Sequence, residues 1–291
     1  MSLWEQGVSP GTVSLAELLE GRGALGARTA VTYEDLAAHA VAGGWPATLD
    51  LPHAQRERYV RAYVEELVRV EIPEAVGVRH QPDRLMRLLR SLARNVSTEA
   101  SLASLAADVG ADGSPADAKT MRTYLDGLKR VFAAEFLGAW SPQLRSRSRL
   151  RSAEKIHLVD PSLACAALGV GADRLARDVQ YFGFVFESMV TRDLRVYAAP
   201  DDGRVYHYRD NTGLEVDAII EYPHGAWGAV EVKLGSSRVP EAEANLLKLV
   251  NDRVDLARLG APSFLAVITA TEYAYTLDSG VHVIPLALLG P

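Results

Sequence analysis

The chain has 291 residues, 48% hydrophobic and 23% charged, with a formal net charge of -6. This composition excludes a wholly disordered chain, and the acidic balance argues against tight, nonspecific binding of nucleic acid by the whole chain. No apolar run approaches the ~20 residues of a membrane span, and no signal-peptide pattern opens the chain, so we expect a cytoplasmic protein without a membrane partner. The single cysteine, Cys165, offers neither a disulfide nor a Cys/His zinc site, and we expect it to be a small residue on a helix.

Residues 1–78 carry helical patterns but no set of strands. Thr32 and Asp35 stand three positions apart, as the N-cap and third residue of a capping-box variant do, and they predict the start of a short helix. Gly and Pro break the chain sharply over 43–46. A long helix is predicted over about 55–70, because its apolar residues recur at i, i+4 spacing.

Residues 79–170 are predicted to form three helices followed by a two-stranded hairpin. The predicted ranges are 83–95, 101–109 and 116–132 for the helices, and 134–140 and 155–159 for the strands. This order is that of a winged helix-turn-helix domain, with 116–132 as the recognition helix and 141–151 as the wing. The alternative is a structural module of packed helices with a solvated basic loop.

Basic residues of this second segment are the candidate nucleic-acid contacts. Arg122 belongs to the predicted recognition helix, and Arg145, Arg147 and Arg149 belong to the predicted wing. A further stripe follows the first helix at helical spacing and comprises Arg84, Arg87, Arg90 and Arg94. These residues provide local basic faces on an acidic chain.

Residues 171–291 alternate between helical and strand patterns. Helices are predicted over 172–195 and 240–259, and strands over 205–209, 215–222, 229–234, 264–269 and 281–286. This αβββαβ order with an added strand predicts an α/β sandwich built on a mixed sheet. The near-continuous apolar runs within the strands over 215–222 and 264–269 are typical of central strands that are covered on both faces.

The most informative residues lie in two consecutive strands of this third segment. Asp217 occurs in one strand, and Glu231 and Lys233 occur in the next, in the order D…ExK. Because strand side chains alternate between faces, Glu231 and Lys233 point the same way, and pairing of the strands would bring both carboxylates and the amine together. The alternative is a solvated strand face, since the bare spacing is common by chance.

Such a trio suits divalent-metal phosphodiester chemistry. Two neighbouring carboxylates repel each other, and a hard dication relieves that repulsion. We therefore expect Asp217 and Glu231 to bind Mg²⁺, with Mn²⁺ as the alternative, and Lys233 to orient a water or neutralise phosphate charge. Glu187, on an otherwise apolar helix, is a candidate auxiliary catalytic carboxylate, and Arg209 is a candidate phosphate contact.

These motifs resemble a known family. With Asp217, Glu231 and Lys233 in the motif positions and Glu187 in the leading helix, the third segment is similar to the PD-(D/E)xK, restriction-endonuclease-like superfamily. The whole chain resembles prokaryotic AAA-type ATPases that carry a P-loop domain, a winged helix and a C-terminal nuclease-like domain of unknown function. The resemblance implies an α/β, multi-domain chain with an ATPase tail and lid over 1–78, a winged helix over 79–170 and a nuclease-like domain over 171–291.

One family motif is missing from the sequence. The chain contains no G-x4-GK-[ST] motif, so binding and hydrolysis of ATP are not expected. The resemblance implies a Mg-dependent nuclease-like module that acts on or binds DNA. The alternative is a noncatalytic scaffold that binds DNA or a protein partner and retains a relic nuclease fold.

Overall fold

The computed structural model describes residues 1–22, 26–77, 82–110, 114–142 and 154–291. By its internal contacts the chain separates into two compact units, each assembled from several segments. The first unit comprises Met1–Leu36, Leu137–Ser152 and Met189–Pro291, and the second comprises Ala37–Phe136 and Ala153–Ser188. None of the helices in the described residues is both long and apolar enough to cross a membrane.

The helices are, in chain order, α1 (Leu15–Leu19), α2 (Tyr33–Ala42), α3 (His53–Glu66), α4 (Ile72–Val76), α5 (Pro82–Arg94), α6 (Leu102–Val109), α7 (Ala118–Arg130), α8 (Pro161–Leu168), α9 (Ala172–Arg177), α10 (Val179–Ala198), α11 (Val239–Asp252) and α12 (Leu256–Leu259). The strands are β1 (Val13–Ser14), β2 (Ala134–Leu137), β3 (Lys155–Leu158), β4 (Arg204–Arg209), β5 (Glu215–Glu221), β6 (Trp227–Lys233), β7 (Phe264–Thr269), β8 (Tyr275–Thr276), β9 (His282–Pro285) and β10 (Leu289–Gly290).

The second unit is helical and has one shared hydrophobic core. Helices α5, α6 and α7 are followed by the two-stranded sheet of β2 and β3, which confirms the predicted order of elements over 79–170. Val64 of α3 and Ile72 of α4 are buried in the same core as Leu88 of α5 and Leu128 of α7. Helix α5 also packs against α6 and α8, and α8 carries Cys165, which confirms the expectation that this residue lies on a helix.

The division into three consecutive domains stays a prediction. Residues on both sides of each predicted boundary, near 78 and near 170, lie in the second unit. Segments on both sides of the boundary near 78 belong to one unit because they share a core: the apolar faces of α3 and α4 are buried against helices of the predicted winged-helix segment. A π-helical turn over Leu67–Glu71 joins α3 to α4, so the predicted helix over 55–70 continues to Val76.

The first unit is built on a six-stranded mixed sheet with the order β4-β5-β6-β7-β9-β8. Strands β4, β5 and β6 are antiparallel, β6, β7 and β9 are parallel, and β8 is antiparallel to β9 at the edge. Helix α11 covers one face, where Leu246 and Leu249 join Ile219, Trp227 and Ala229 in a hydrophobic cluster. This confirms the α/β class with a mixed sheet.

Two helices that the sequence predicted as continuous are interrupted. The helix predicted over 172–195 divides into α9 and α10 at Asp178, whose side chain accepts a hydrogen bond from the Tyr181 amide at 3.1 Å and caps the second helix. The helix predicted over 240–259 divides into α11 and α12. There Val254 enters the core and Arg253 forms a 2.7 Å ion pair with Asp210.

The pairing of β1 with β10 was not predicted. The two strands are parallel, with Val13 opposite Leu289. Hydroxyl groups of Ser9 and Ser14 donate hydrogen bonds to the carbonyls of Leu289 and Pro291, at 2.7 and 2.6 Å. Strands of two residues carry no readable alternation, so this contact between distant segments leaves no periodic signal in the sequence.

Candidate functional site

The backbone of β5 and β6 sets the positions of Asp217, Glu231 and Lys233. The antiparallel register pairs Ala218 with Val230. Asp217 and Glu231, the next residues at the same end of this pair, therefore lie side by side on the two strands. Alternation places Asp217 on the face of Ile219, and Glu231 and Lys233 on the face of Ala229. That face is the one against α11, so the three polar side chains extend a surface that is otherwise apolar.

The structure brings these three side chains together. The Lys233 ammonium donates a hydrogen bond to Glu231 Oε2 at 2.6 Å and lies 3.7 Å from Asp217 Oδ2. Asp217 Oδ2 also accepts a hydrogen bond from the backbone amide of Val232 at 2.8 Å. The amide of β6 therefore fixes the carboxylate of β5 beside the Glu-Val-Lys segment.

A fourth side chain, Asn245, completes the group, and the sequence reasoning missed it. Asn245 lies on α11 and donates a hydrogen bond from Nδ2 to Glu231 Oε1 at 3.2 Å. The signal in the sequence is weak: a single amide beside Ala242, Leu246 and Leu249, the residues with which α11 covers the sheet. Both oxygens of Glu231 thus accept hydrogen bonds, one from Lys233 and one from Asn245.

Burial dominates the electrostatics of the site. Glu231 is only 2% exposed, and this burial, reinforced by the nearby Asp217 carboxylate, raises the pKa of Glu231 to about 8. Lys233 and Asn245 oppose the rise, because each donates a hydrogen bond to the charged form. The fold therefore places Glu231 where its ionised form needs a positive charge nearby.

The donor set fits a hard dication. Asp217 and Glu231 offer carboxylate oxygens from adjacent strands, and Mg²⁺ is usually held by one or two protein carboxylates with waters in the remaining positions. The pKa rise that Asp217 causes at Glu231 is the physical sign of the repulsion that such an ion relieves. The site offers two such side chains and no more, since within the described residues no group of three or more His, Cys, Asp or Glu side chains is placed to hold a metal. Waters or phosphate oxygens would have to complete the coordination.

Glu187 lies on α10, in a part of that helix that belongs to the second unit. Its Oε1 accepts a hydrogen bond from Lys155 Nζ of β3 at 2.7 Å, and both side chains are mostly buried. A buried carboxylate of this kind requires a charged partner, and Lys155 provides one. The part of auxiliary catalytic carboxylate stays a prediction.

The candidate nucleic-acid contacts lie in several places. Arg209 of β4 forms a 2.8 Å ion pair with Glu215 of β5, and Arg122 is exposed on α7. The predicted contacts Arg145, Arg147 and Arg149, with most of the predicted wing, lie outside the described residues. Two other basic residues of α7 have partners: Lys129 stands 3.7 Å from the Phe136 ring centroid, and Arg130 donates to the Ala75 carbonyl at 3.0 Å.

Comparison with protein families adds an independent observation. Residues 182–289 match the model described as Domain of unknown function (DUF4143). That domain is found in AAA-associated ATPase-like proteins, so the match supports the predicted resemblance in this coarser form. Residues 33–174 match a second model, described as Domain of unknown function (DUF8612). No curated protein and no solved structure gives a significant match.

Proposed function

We propose that this chain is a Mg-dependent, nuclease-like module of the ATPase-associated kind, and that it hydrolyses phosphodiester bonds in DNA. The observation that carries the proposal is the group of Asp217, Glu231 and Lys233 on one buried sheet face, with the amine 2.6 Å from one carboxylate and 3.7 Å from the other. A carboxyl group with a strongly raised pKa beside a second carboxylate is typical of functional sites.

Each side chain has a part in the proposed reaction. Asp217 and Glu231 would hold the cation, whose chemistry would be to polarise the scissile phosphate and make a bound water more acidic. With both carboxylates engaged by the cation, Lys233 would be released from its ion pairs with them. Its ammonium then positions the attacking water and stabilises the negative charge that develops on the phosphate oxygens. Asn245 holds Glu231 in place through its hydrogen bond to Oε1.

The test is a metal titration with several DNA substrates. Wild type is compared with Asp217→Asn and Lys233→Met, and Asp278→Asn is the control because Asp278 is an exposed carboxylate in the turn between β8 and β9, outside the site. We expect Mg- or Mn-dependent cleavage by the wild type and the control, and a loss of at least ~100-fold in the site variants. Cleavage that is absent, or that is equal in all variants, refutes the proposal.

A second function is favoured by one observation: side chains of the chain itself already occupy the oxygens of Glu231. Lys233 and Asn245 already satisfy both oxygens of Glu231 without a metal, as expected of a noncatalytic scaffold that keeps a relic nuclease fold and binds DNA or a protein. Calorimetric titration separates the two readings. Tight Mg²⁺ or Mn²⁺ binding that Asp217→Asn abolishes favours the enzyme, and no metal binding favours the scaffold.

A further inference from the structure

Four arginines follow one side of α5 in the second unit: Arg84, Arg87, Arg90 and Arg94. Spacings of three and four residues place them on successive turns, and ten residues at 1.5 Å per residue give a stripe of about 15 Å. The leucines of α5 lie on the other side and fill the core. We call these four residues the α5 stripe.

The described residues offer little charge compensation to the α5 stripe. Among the described residues, none of the four arginines forms an ion pair with a carboxylate. The Nε atoms of Arg84 and Arg87 are buried without a hydrogen-bond partner, whereas Arg90 donates from Nε to the Ala167 carbonyl at 3.2 Å. Buried polar groups are nearly always hydrogen-bonded in folded proteins, so the Nε atoms of Arg84 and Arg87 keep unused donor capacity along the stripe.

Two pockets lie along the stripe, and Arg87 and Arg90 line both of them. One has a volume of about 400 Å³ and the other about 270 Å³. Arg94 lines the smaller pocket, and Met86 and Leu168 contribute apolar walls. The guanidinium groups thus border concave surfaces that can receive an anionic group.

The acidic residues at these pockets do not cancel the stripe. Glu65 is paired with Arg69 at 3.0 Å, which leaves two carboxylates at the pockets, Asp83 and Asp108, beside the four arginines of the stripe. Asp83, in the first turn of α5, interacts favourably with the helix N-terminus. The face therefore keeps an excess of positive charge on a chain whose formal net charge is -6.

We propose that the α5 stripe binds the phosphate backbone of duplex DNA. Guanidinium groups bind phosphates with paired hydrogen bonds, and a linear stripe of about 15 Å spans several phosphates rather than one small anion. This inference deepens the proposed function, because it gives that function its DNA-binding surface. In this proposal the main DNA contact is made by α5 and not by α7, the predicted recognition helix.

The test measures DNA binding by the full chain. A fluorescently labelled duplex is titrated with protein in EDTA at a series of KCl concentrations. Arg87→Gln/Arg90→Gln is expected to weaken binding by about tenfold or more and to reduce the slope of log affinity against log salt by about 2. Arg58→Gln/Arg258→Gln is the control, because it removes the same charge from two exposed arginines of other helices. It is expected to leave that slope unchanged.

A conservative variant separates charge from folding. Arg87→Lys/Arg90→Lys keeps both charges, so it is expected to retain most of the salt slope while losing paired hydrogen bonds. Wild-type affinity and slope in the glutamine variant overturn the proposal, as does a wild type that binds anionic lipid vesicles but no DNA. If binding depends on the stripe but no metal supports cleavage, the proposed nuclease fails and this inference stands.

Discussion

The sharpest prediction concerns the pH dependence of stability and its origin in one carboxyl group. Glu231 has its pKa raised from 4.5 to about 8 in the folded chain. Between these two values the native state holds a proton that the unfolded state has released, so stability falls as pH rises through this window. Replacement by Gln removes the titrating group and keeps an acceptor for Lys233 and Asn245. We therefore expect Glu231→Gln to be more stable relative to wild type at high pH than at low pH.

The magnitude follows from linkage. A rise from 4.5 to about 8 corresponds to roughly 5 kcal/mol in total, at about 1.36 kcal/mol per pKa unit. About half of this, on the order of 2–3 kcal/mol, is lost between pH 6 and pH 9, because the unfolded group is already ionised there while the native group ionises within the interval. The difference in unfolding free energy between Glu231→Gln and wild type should grow by that amount.

Urea denaturation followed by circular dichroism at pH 6 and pH 9, in EDTA, measures this difference. The control is Glu215→Gln, which makes the same chemical change at a 43% exposed carboxylate of β5 outside the site. A Glu231→Gln difference that is equal at the two pH values, to within about 0.5 kcal/mol, would refute the reasoning. It would mean that Lys233 and Asn245 together fully compensate the buried carboxylate.

Three further predictions concern the fold, and urea denaturation measures each. Asp160→Ala should cost roughly 3 kcal/mol, because the buried carboxylate accepts hydrogen bonds from two backbone amides at 2.9 Å each; a loss below ~1 kcal/mol would contradict this. Gly228→Ala should cost about 1–3 kcal/mol, because an added Cβ overlaps the Phe264 ring, and Phe264→Leu should recover part of it. Thr32→Ala should cost about 1 kcal/mol, because the Thr32 amide donates to Asp35 Oδ2 at 2.9 Å and the Asp35 amide donates to Thr32 Oγ1 at 3.1 Å. An unchanged urea midpoint would mean that this cap does not stabilise the protein.

Local sequence patterns predicted helices and strands well where an apolar run or a capping pair marked their boundaries. The strand over Phe264–Thr269 has the bounds predicted from its apolar run, and Thr32 caps α2 as its spacing with Asp35 indicated. The breaks within the predicted long helices were missed, because an interior Asp178 or Val254 leaves the apolar periodicity largely intact. The pairing of β1 with β10 was missed because it joins residues 276 positions apart, from Val13 to Leu289.

The site was predictable to the extent that strand alternation determines it. The ExK spacing required Glu231 and Lys233 to share a face, and the strand register then placed Asp217 beside them. Asn245 was not predictable, because its contact depends on how α11 lies across the sheet. Side-chain partners also escaped prediction: Glu187 is paired with Lys155, a residue that sequence spacing alone does not relate to it.

The trio is difficult to explain as a device for stability. Glu231 occupies a position on the sheet face that Trp227 and Ala229 of the same strand use for packing under α11. An apolar side chain there would avoid both the desolvation of a carboxylate and its repulsion by Asp217, and replacing buried ion pairs with apolar residues is often neutral or stabilising. The raised pKa shows that Lys233 and Asn245 do not fully offset that cost. A group that the fold tolerates at the expense of stability is the kind that a ligand or a reaction requires, and a bound dication would supply the missing compensation.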